Sequence, residues 1–246
     1  DVSKSMLAED VAPNRLLRSK RIISEIINSL SSDRVGIVAY AAQAIPQVPL
    51  TTDFASVKNF LQVIDTDMLS SQGTSIDSAL SLSVNFFDQN SETNRVLILI
   101  SDGEDHDDIP DDLIAEAINL EQKKQQDKDA KRLKDRNDAI KKGNDSWISE
   151  NKSDYISLIT IGMGEESGST IPLRLNGVID SYKKDRNGDV VITKRNSLIL
   201  NKIADSSDGD YIDGNFTDEA LEQVKLILDE IDKSEIEASQ FIDYKQ

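Results

Sequence analysis

The sequence predicts an α/β fold: a mostly parallel sheet with helices packed on both faces. Three observations carry that prediction. Apolar, β-branched runs recur at 34–40, 95–101 and 155–161, with the unbroken apolar character of strands buried on both sides. Between them lie segments whose apolar residues recur at helical spacing. Strand and helix alternate along the chain, the pattern of a sheet covered on both faces. A length of 246 residues suits one such domain with insertions, large enough to bury about 70–75 % of its unfolded surface.

The elements follow in order. Residues 13–30 read as an amphipathic helix, with Asp10 just upstream, Pro13 in the first turn, and Leu16, Ile23, Ile27 and Leu30 on one face. Arg34-Val-Gly-Ile-Val-Ala-Tyr40 is a buried strand after a Ser-Ser-Asp turn. Residues 44–48 form a short edge strand, because Pro46 and Pro49 limit pairing. Asp53 caps a helix over 54–64. A polar loop over 65–73 leads to a helix over 75–88. Arg95-Val-Leu-Ile-Leu-Ile-Ser101 is the most strand-like segment, and it runs into the acidic loop Asp102-Gly-Glu-Asp-His-Asp-Asp108. Residues 113–152 read as a charged helical insertion, amphipathic at first and then polar all round. Its 121–142 stretch holds nine basic and five acidic residues in an otherwise acidic chain. It reads as a solvated helix, with docking or oligomerisation as alternatives, and Trp147 reads as its anchor. Tyr155-Ile-Ser-Leu-Ile-Thr-Ile161 is a further buried strand. Residues 178–193 read as a hairpin around Asn187-Gly188. A helix over 197–205, a strand over 209–212 and a helix from Thr217 to about 232 complete a single domain over 1–232, leaving a polar tail over 233–246.

Composition excludes several function classes. Lys and Arg number 28 against 45 Asp and Glu, a formal net charge of −17. A field of that sign repels nucleic acid and anionic membrane surfaces and suits divalent cations or basic proteins. With no cysteine and one histidine, the chain has no thiolate metal site, disulfide, cysteine nucleophile or histidine cluster. His106 reads as an exposed loop residue, since no Ser–His–carboxylate pattern surrounds it. No run approaches the ~18 apolar residues of a membrane span.

The chemistry-bearing residues are Asp1, Ser3, Ser5, Thr74 and Asp102. Asp102 follows the strongest strand, and in an open parallel sheet ligands gather beyond the carboxyl ends of the strands. Thr74, leading into its own helix, can reach the same edge. Two carboxylates, three hydroxyls and water make an octahedral set of hard oxygens, which suits Mg²⁺, with Mn²⁺ as a substitute. So few protein charges leave an ion electrophilic enough to accept a carboxylate from a protein partner. Glu104, Asp105, Asp107 and Asp108 read as rim charge, and Asp53 and Asp77 as helix-start residues. Two other readings stand: a Mg²⁺-dependent hydrolase or phosphotransferase using Asp1 as nucleophile, and a structural module whose metal site is empty.

The spaced set Asp1-x-Ser3-x-Ser5, Thr74 and Asp102 resembles the metal-ion-dependent adhesion site of von Willebrand factor type A domains. Ser5-Met-Leu-Ala-Glu-Asp-Val-Ala-Pro-Asn-Arg15, Asp33-Arg-Val-Gly-Ile-Val-Ala39, Pro49-Leu-Thr-Thr-Asp53, Ser101-Asp-Gly-Glu-Asp-His106, Ile171-Pro-Leu173 and Tyr182-Lys-Lys-Asp-Arg-Asn-Gly188 resemble the BatA/BatB family of bacterial aerotolerance operons, BatB more closely. The resemblance covers about 1–110 and 154–245. It implies a three-layer type A fold with a central strand just before Asp1, in a bacterial inner-membrane protein anchored by flanking segments. The chain starts without Met and reads as part of a longer protein, and Phe241-Ile-Asp-Tyr-Lys-Gln246 is similar to the stretch before a membrane segment. The soluble domain would lie on the periplasmic or cytoplasmic side, periplasmic being favoured. The resemblance also implies other Bat proteins and a MoxR-type AAA+ ATPase as partners, a role in oxygen and stress tolerance, and no catalytic activity.

Overall fold

The computed structural model describes residues 1–69, 73–87, 94–104, 156–206 and 209–243, with side chains placed outside 206 and 232–243. The insertion expected over 113–152, with Trp147, and the loop residues Asp105, His106, Asp107 and Asp108 lie outside the described residues.

The helices are α1 (Arg15–Ser29), α2 (Phe54–Val63), α3 (Ile76–Val84), α4 (Ser197–Ser206) and α5 (Thr217–Asp243). The strands are β1 (Val35–Tyr40), β2 (Ala44–Thr51), β3 (Arg95–Ser101), β4 (Ile156–Gly162), β5 (Ser169–Thr170), β6 (Pro172–Leu175), β7 (Val178–Tyr182), β8 (Ile192–Thr193) and β9 (Asp210–Asp213). A 3-10 turn over Lys4–Leu7 precedes α1.

Strands β3, β4 and β9 form a parallel sheet in that order. Arg95 pairs with Ile156 and the register holds without a bulge to Ser101 and Gly162. Strands β1 and β2 pair antiparallel. Residues 1 and 2 bridge the two sheets. The Val2 amide donates to Tyr40 O at 2.8 Å, and the Asp1 ammonium donates to Ile100 O at 3.1 Å.

Because side chains alternate across a strand, each parallel strand feeds both faces. Ile100, Ile159, Ile161 and Ile212 pack with Leu16, Ile22 and Ile26 of α1, Leu61 of α2 and Val224 of α5. Leu99, Leu158 and Tyr40 pack on the opposite face with Ile76 and Leu80 of α3 and Leu200 and Ile203 of α4. Helices therefore cover both faces, and the domain has three layers. Burying each such aliphatic side chain is worth about 1.5–3 kcal/mol.

Helix starts follow side-chain capping. Asn14 accepts from the Leu17 amide and starts α1, so the cap is Asn14 and not the upstream Asp10. Asp53 caps α2 through Ser56 N. Ser75 caps α3 through Ser78 N, so Thr74 stands one residue outside the capping position.

Three elements differ from the sequence reading. Strand β2 runs to Thr51 through both prolines. Among the described residues it pairs on one side only, so the missing proline N–H groups remove no second ladder there. The hairpin region is built around two Asn-Gly turns. Strand β7 pairs with β6 about Asn176-Gly177 (φ +53° and +83°), while Asn187-Gly188 closes the single bridge Lys184–Val190. Strand β8 then returns to pair with β5. Together residues 169–193 form an arm. Finally, α5 continues to Asp243, so the stretch from 233 is helical and not an irregular tail.

Candidate metal centre

The 3-10 turn and the end of β3 bring distant oxygens together. Asp1 Oδ1 accepts from the Ser3 amide at 2.8 Å, and Asp1 Oδ2 accepts from the Ser101 hydroxyl at 2.7 Å. The Ser3 and Ser5 hydroxyls stand 2.7 Å apart. Asp102 Oδ1 accepts from the Glu104 amide at 3.1 Å. Ser3, Ser5, Thr74 and Asp102 are all buried. The Gly73 that precedes Thr74 lines one small cavity with Val2, Ser3 and Lys4, and the Ser75 amide donates to Ala41 O at 2.8 Å. Asp1, Ser3, Ser5 and Ser101 thus form one hydrogen-bonded cluster at the carboxyl end of β3, with Asp102 the next residue along the chain, and the loop carrying Thr74 borders it.

Chain geometry explains the arrangement. The alternate residues Asp1, Ser3 and Ser5 are turned inward by the 3-10 turn, while Lys4 points away to Thr66 and Asp67. Met6, fully buried, anchors that turn in the core. Gly103 has φ +72°, and a Cβ there would meet Asn196 O at 2.6 Å, so only glycine lets the chain turn directly after Asp102.

The donor set fits a hard divalent cation. Every group is an oxygen, and the carboxylates and hydroxyls are held by bonds that fix their orientation. Among the described residues no group of three or more His, Cys, Asp or Glu lies close enough to hold an ion. A divalent ion at this edge would need hydroxyls and water beside the two carboxylates to fill its shell, as in Mg²⁺ sites that retain water.

The electrostatics contain a residue that sequence reasoning missed. Arg15 is 0 % exposed. Its Nη1 donates to Asp102 Oδ2 at 2.8 Å and to Thr193 Oγ1 at 2.9 Å. Its Nε and Nη2 form a fork onto Asp10 at 3.0 and 2.6 Å, and Nη2 also reaches Thr193 O at 3.3 Å. Burial pushes the Asp102 carboxyl up from its ordinary range and Arg15 opposes it. Burial also opposes ionisation of Asp10, but the bonds from Arg15 and from the Glu165 and Val11 amides outweigh it and hold Asp10 below the usual carboxylate value.

The arm lies against the same edge. Glu104 accepts from the Thr193 hydroxyl at 2.6 Å and from the Lys194 amide at 2.7 Å, so this rim carboxylate latches the arm. Lys183 faces Lys4 and Glu104. Burial, then Lys4, lowers its ammonium below the ordinary value, and Glu104 opposes them. Leu175, Val178 and Ile192 of the arm are exposed. Among the described residues no helix is long and apolar enough to cross a membrane.

Residues 1–104 match the sequence family described as the von Willebrand factor type A domain. An uncharacterized protein of Borreliella burgdorferi is 30% identical over 107 residues, which are 42% of this chain and 30% of that protein. The match thus spans less than a third of that relative. The structure of conserved hypothetical protein BatB from Bacteroides thetaiotaomicron aligns with a TM-score of 0.72 at 29% identity, over 95% of this chain and 96% of that one. An aerotolerance-related membrane protein from Bacteroides fragilis aligns with a TM-score of 0.71 at 29% identity, over the same shares, 95% and 96%. A von Willebrand factor type A structure from Catenulispora acidiphila, 17% identical with a TM-score of 0.52 over 85% of this chain and 37% of that one, shares the fold.

Proposed function

From a chain that carries a von Willebrand factor type A domain and resembles BatB along most of its length, we propose a metal-ion-dependent protein-binding domain, not an enzyme. Mg²⁺, or Mn²⁺ in its place, would be held by Asp1, Ser3 and Ser5, with Thr74 and Asp102 contributing directly or through water. The ion would offer one electrophilic position to an acidic residue of a partner protein. The observation that carries this reading is the meeting of Asp1 with Ser101, 100 positions away, in one cluster with Ser3 and Ser5 directly beside Asp102. Folding assembles that cluster from separate elements and orients its oxygens before any ligand arrives, which lowers the cost of binding.

The chain's own residues divide the work. Ser101 and the Ser3 amide orient the Asp1 carboxylate, the Glu104 amide orients Asp102, and Met6 holds the turn that presents both serines. A phosphotransferase would need a cation beside Asp1. Lys4 is instead engaged by Thr66 and Asp67, which favours binding over turnover. The likeness to BatB and to an aerotolerance-related membrane protein supports a membrane-anchored Bat-type protein acting in oxygen or stress tolerance, its domain on the periplasmic or the cytoplasmic side, the periplasmic being favoured. Other Bat proteins and a MoxR-type ATPase are the partners that resemblance suggests.

Calorimetric titration with Mg²⁺ tests the reading. The parent chain should bind, and Asp102→Ala and Ser3→Ala should each lose at least tenfold in affinity while keeping the parent's circular dichroism. Unchanged affinity in both folded variants would overturn it.

A further inference from the structure

We propose that Arg15 couples the metal edge to the 169–193 arm, serving as the resident counter-cation of Asp102 and as the anchor of Thr193. The inference rests on the metal-binding reading and names how that site is regulated.

The observations are independent of one another. Arg15 occupies the first position of α1, where the helix dipole disfavours a cation. A residue placed against a local preference points to a compensating role. The compensation is visible: the five N–H donors of a guanidinium meet five acceptors, on Asp10, Asp102 and Thr193. Gly164 is shaped around it, since a Cβ there would collide with Arg15 Nε. Among the described residues, Arg15 makes the ion pair with Asp102, and both side chains are 0 % exposed. A buried carboxylate without a partner is strongly destabilising, so Arg15 lets the domain stay folded with no metal bound.

The same charge opposes a divalent ion. A cation entering beside Asp102 meets a guanidinium already hydrogen-bonded to that carboxylate, and the two compete for its charge. Arg15 also holds the arm, through the Thr193 hydroxyl and carbonyl, while Glu104 latches the next residue. A metal that draws on Asp102 weakens the Arg15–Asp102 bond and loosens the arm anchored to the same guanidinium. The arm carries exposed apolar residues such as Leu175 and Val178, so occupancy would change the surface that a partner meets. By linkage, arm placement and metal affinity then influence each other equally.

The test combines Mg²⁺ calorimetry with hydrogen exchange of the arm, read by mass spectrometry, in the parent, Arg15→Met and Thr193→Val. In the parent, saturating Mg²⁺ should speed exchange across 169–194 at least threefold. Arg15→Met should bind Mg²⁺ at least tenfold tighter and lose the arm response. Thr193→Val keeps the Arg15–Asp102 pair and supplies a folded variant should Arg15→Met not fold without metal. It should bind Mg²⁺ within threefold of the parent and respond weakly or not at all. Mg²⁺ binding in the parent with unchanged arm exchange would overturn this inference alone. An arm response in Thr193→Val as large as the parent's would do the same. Absence of any Mg²⁺ binding would overturn both this inference and the metal-site reading beneath it.

Discussion

Gly164→Ala isolates the fit between Arg15 and the loop after β4. Gly164 has φ +97°, where an L side chain costs about 1–2 kcal/mol. The new Cβ would also collide with the Arg15 guanidinium. That guanidinium cannot retreat without loosening bonds to Asp10, Asp102 and Thr193. Overpacking costs about 1–3 kcal/mol, and each weakened bond to a charged partner up to about 1.5–3 kcal/mol. With one such bond lost the sum is about 3.5–8 kcal/mol, a large part of the ~5–15 kcal/mol that holds a domain together. Gly177→Ala is the control, because Gly177 has φ +83° with nothing within 4 Å of a Cβ. It carries the backbone cost alone, about 1–2 kcal/mol. At about 2–4 °C per kcal/mol for a chain of this size, calorimetric scans should show a Tm lowered by about 7–32 °C for Gly164→Ala and about 2–8 °C for Gly177→Ala. Equal shifts would refute the claim that Arg15 is rigidly held.

Three further outcomes follow from the same structure. The folded Asp10 carboxyl lies below its unfolded value of 3.8, so its stabilisation is complete above that pH and is lost as pH falls through the folded value. Acid titration followed by circular dichroism should show the parent losing stability more steeply below pH ~4 than Asp10→Asn. Ile203→Ala, at a fully buried site under the sheet, should cost about 2–5 kcal/mol in urea unfolding; a cost under ~1 kcal/mol would contradict the packing described. Asn14→Ala removes the cap on Leu17 N and should cost about 1 kcal/mol in the same assay.

Much of the fold is legible in the sequence where one physical signal dominates. The 95–101 strand is unambiguous because a fully buried parallel strand is a continuous apolar run, and the structure pairs every residue of it. The oxygens of Asp1, Ser3 and Ser5 are legible as a set because their spacing survives folding: they meet at Ser101, directly beside Asp102, and the loop of Thr74 borders them. Other features are hidden for identifiable reasons. The Asn176-Gly177 turn carries the same signal as Asn187-Gly188, but the apolar run around it does not show which turn closes the longer ladder. Strand β2 passes through Pro46 and Pro49 because it is an edge, and that is a property of the sheet rather than of the local sequence. Arg15 is invisible by periodicity, since a lone arginine in a helix normally projects into solvent. Its only local trace is a cation in a first turn that holds no acidic residue. Asp10 passes for a helix-start residue until the structure shows it clasping Arg15.

Anomalous diffraction from crystals grown in Mn²⁺ tests the central claim most directly. The account predicts one strong anomalous peak among the oxygens of Asp1, Ser3 and Ser5, with Asp102 and Thr74 within one water of it. A peak elsewhere with that cluster unchanged, or none at saturating Mn²⁺, would contradict the assignment of this edge as a metal-dependent binding site.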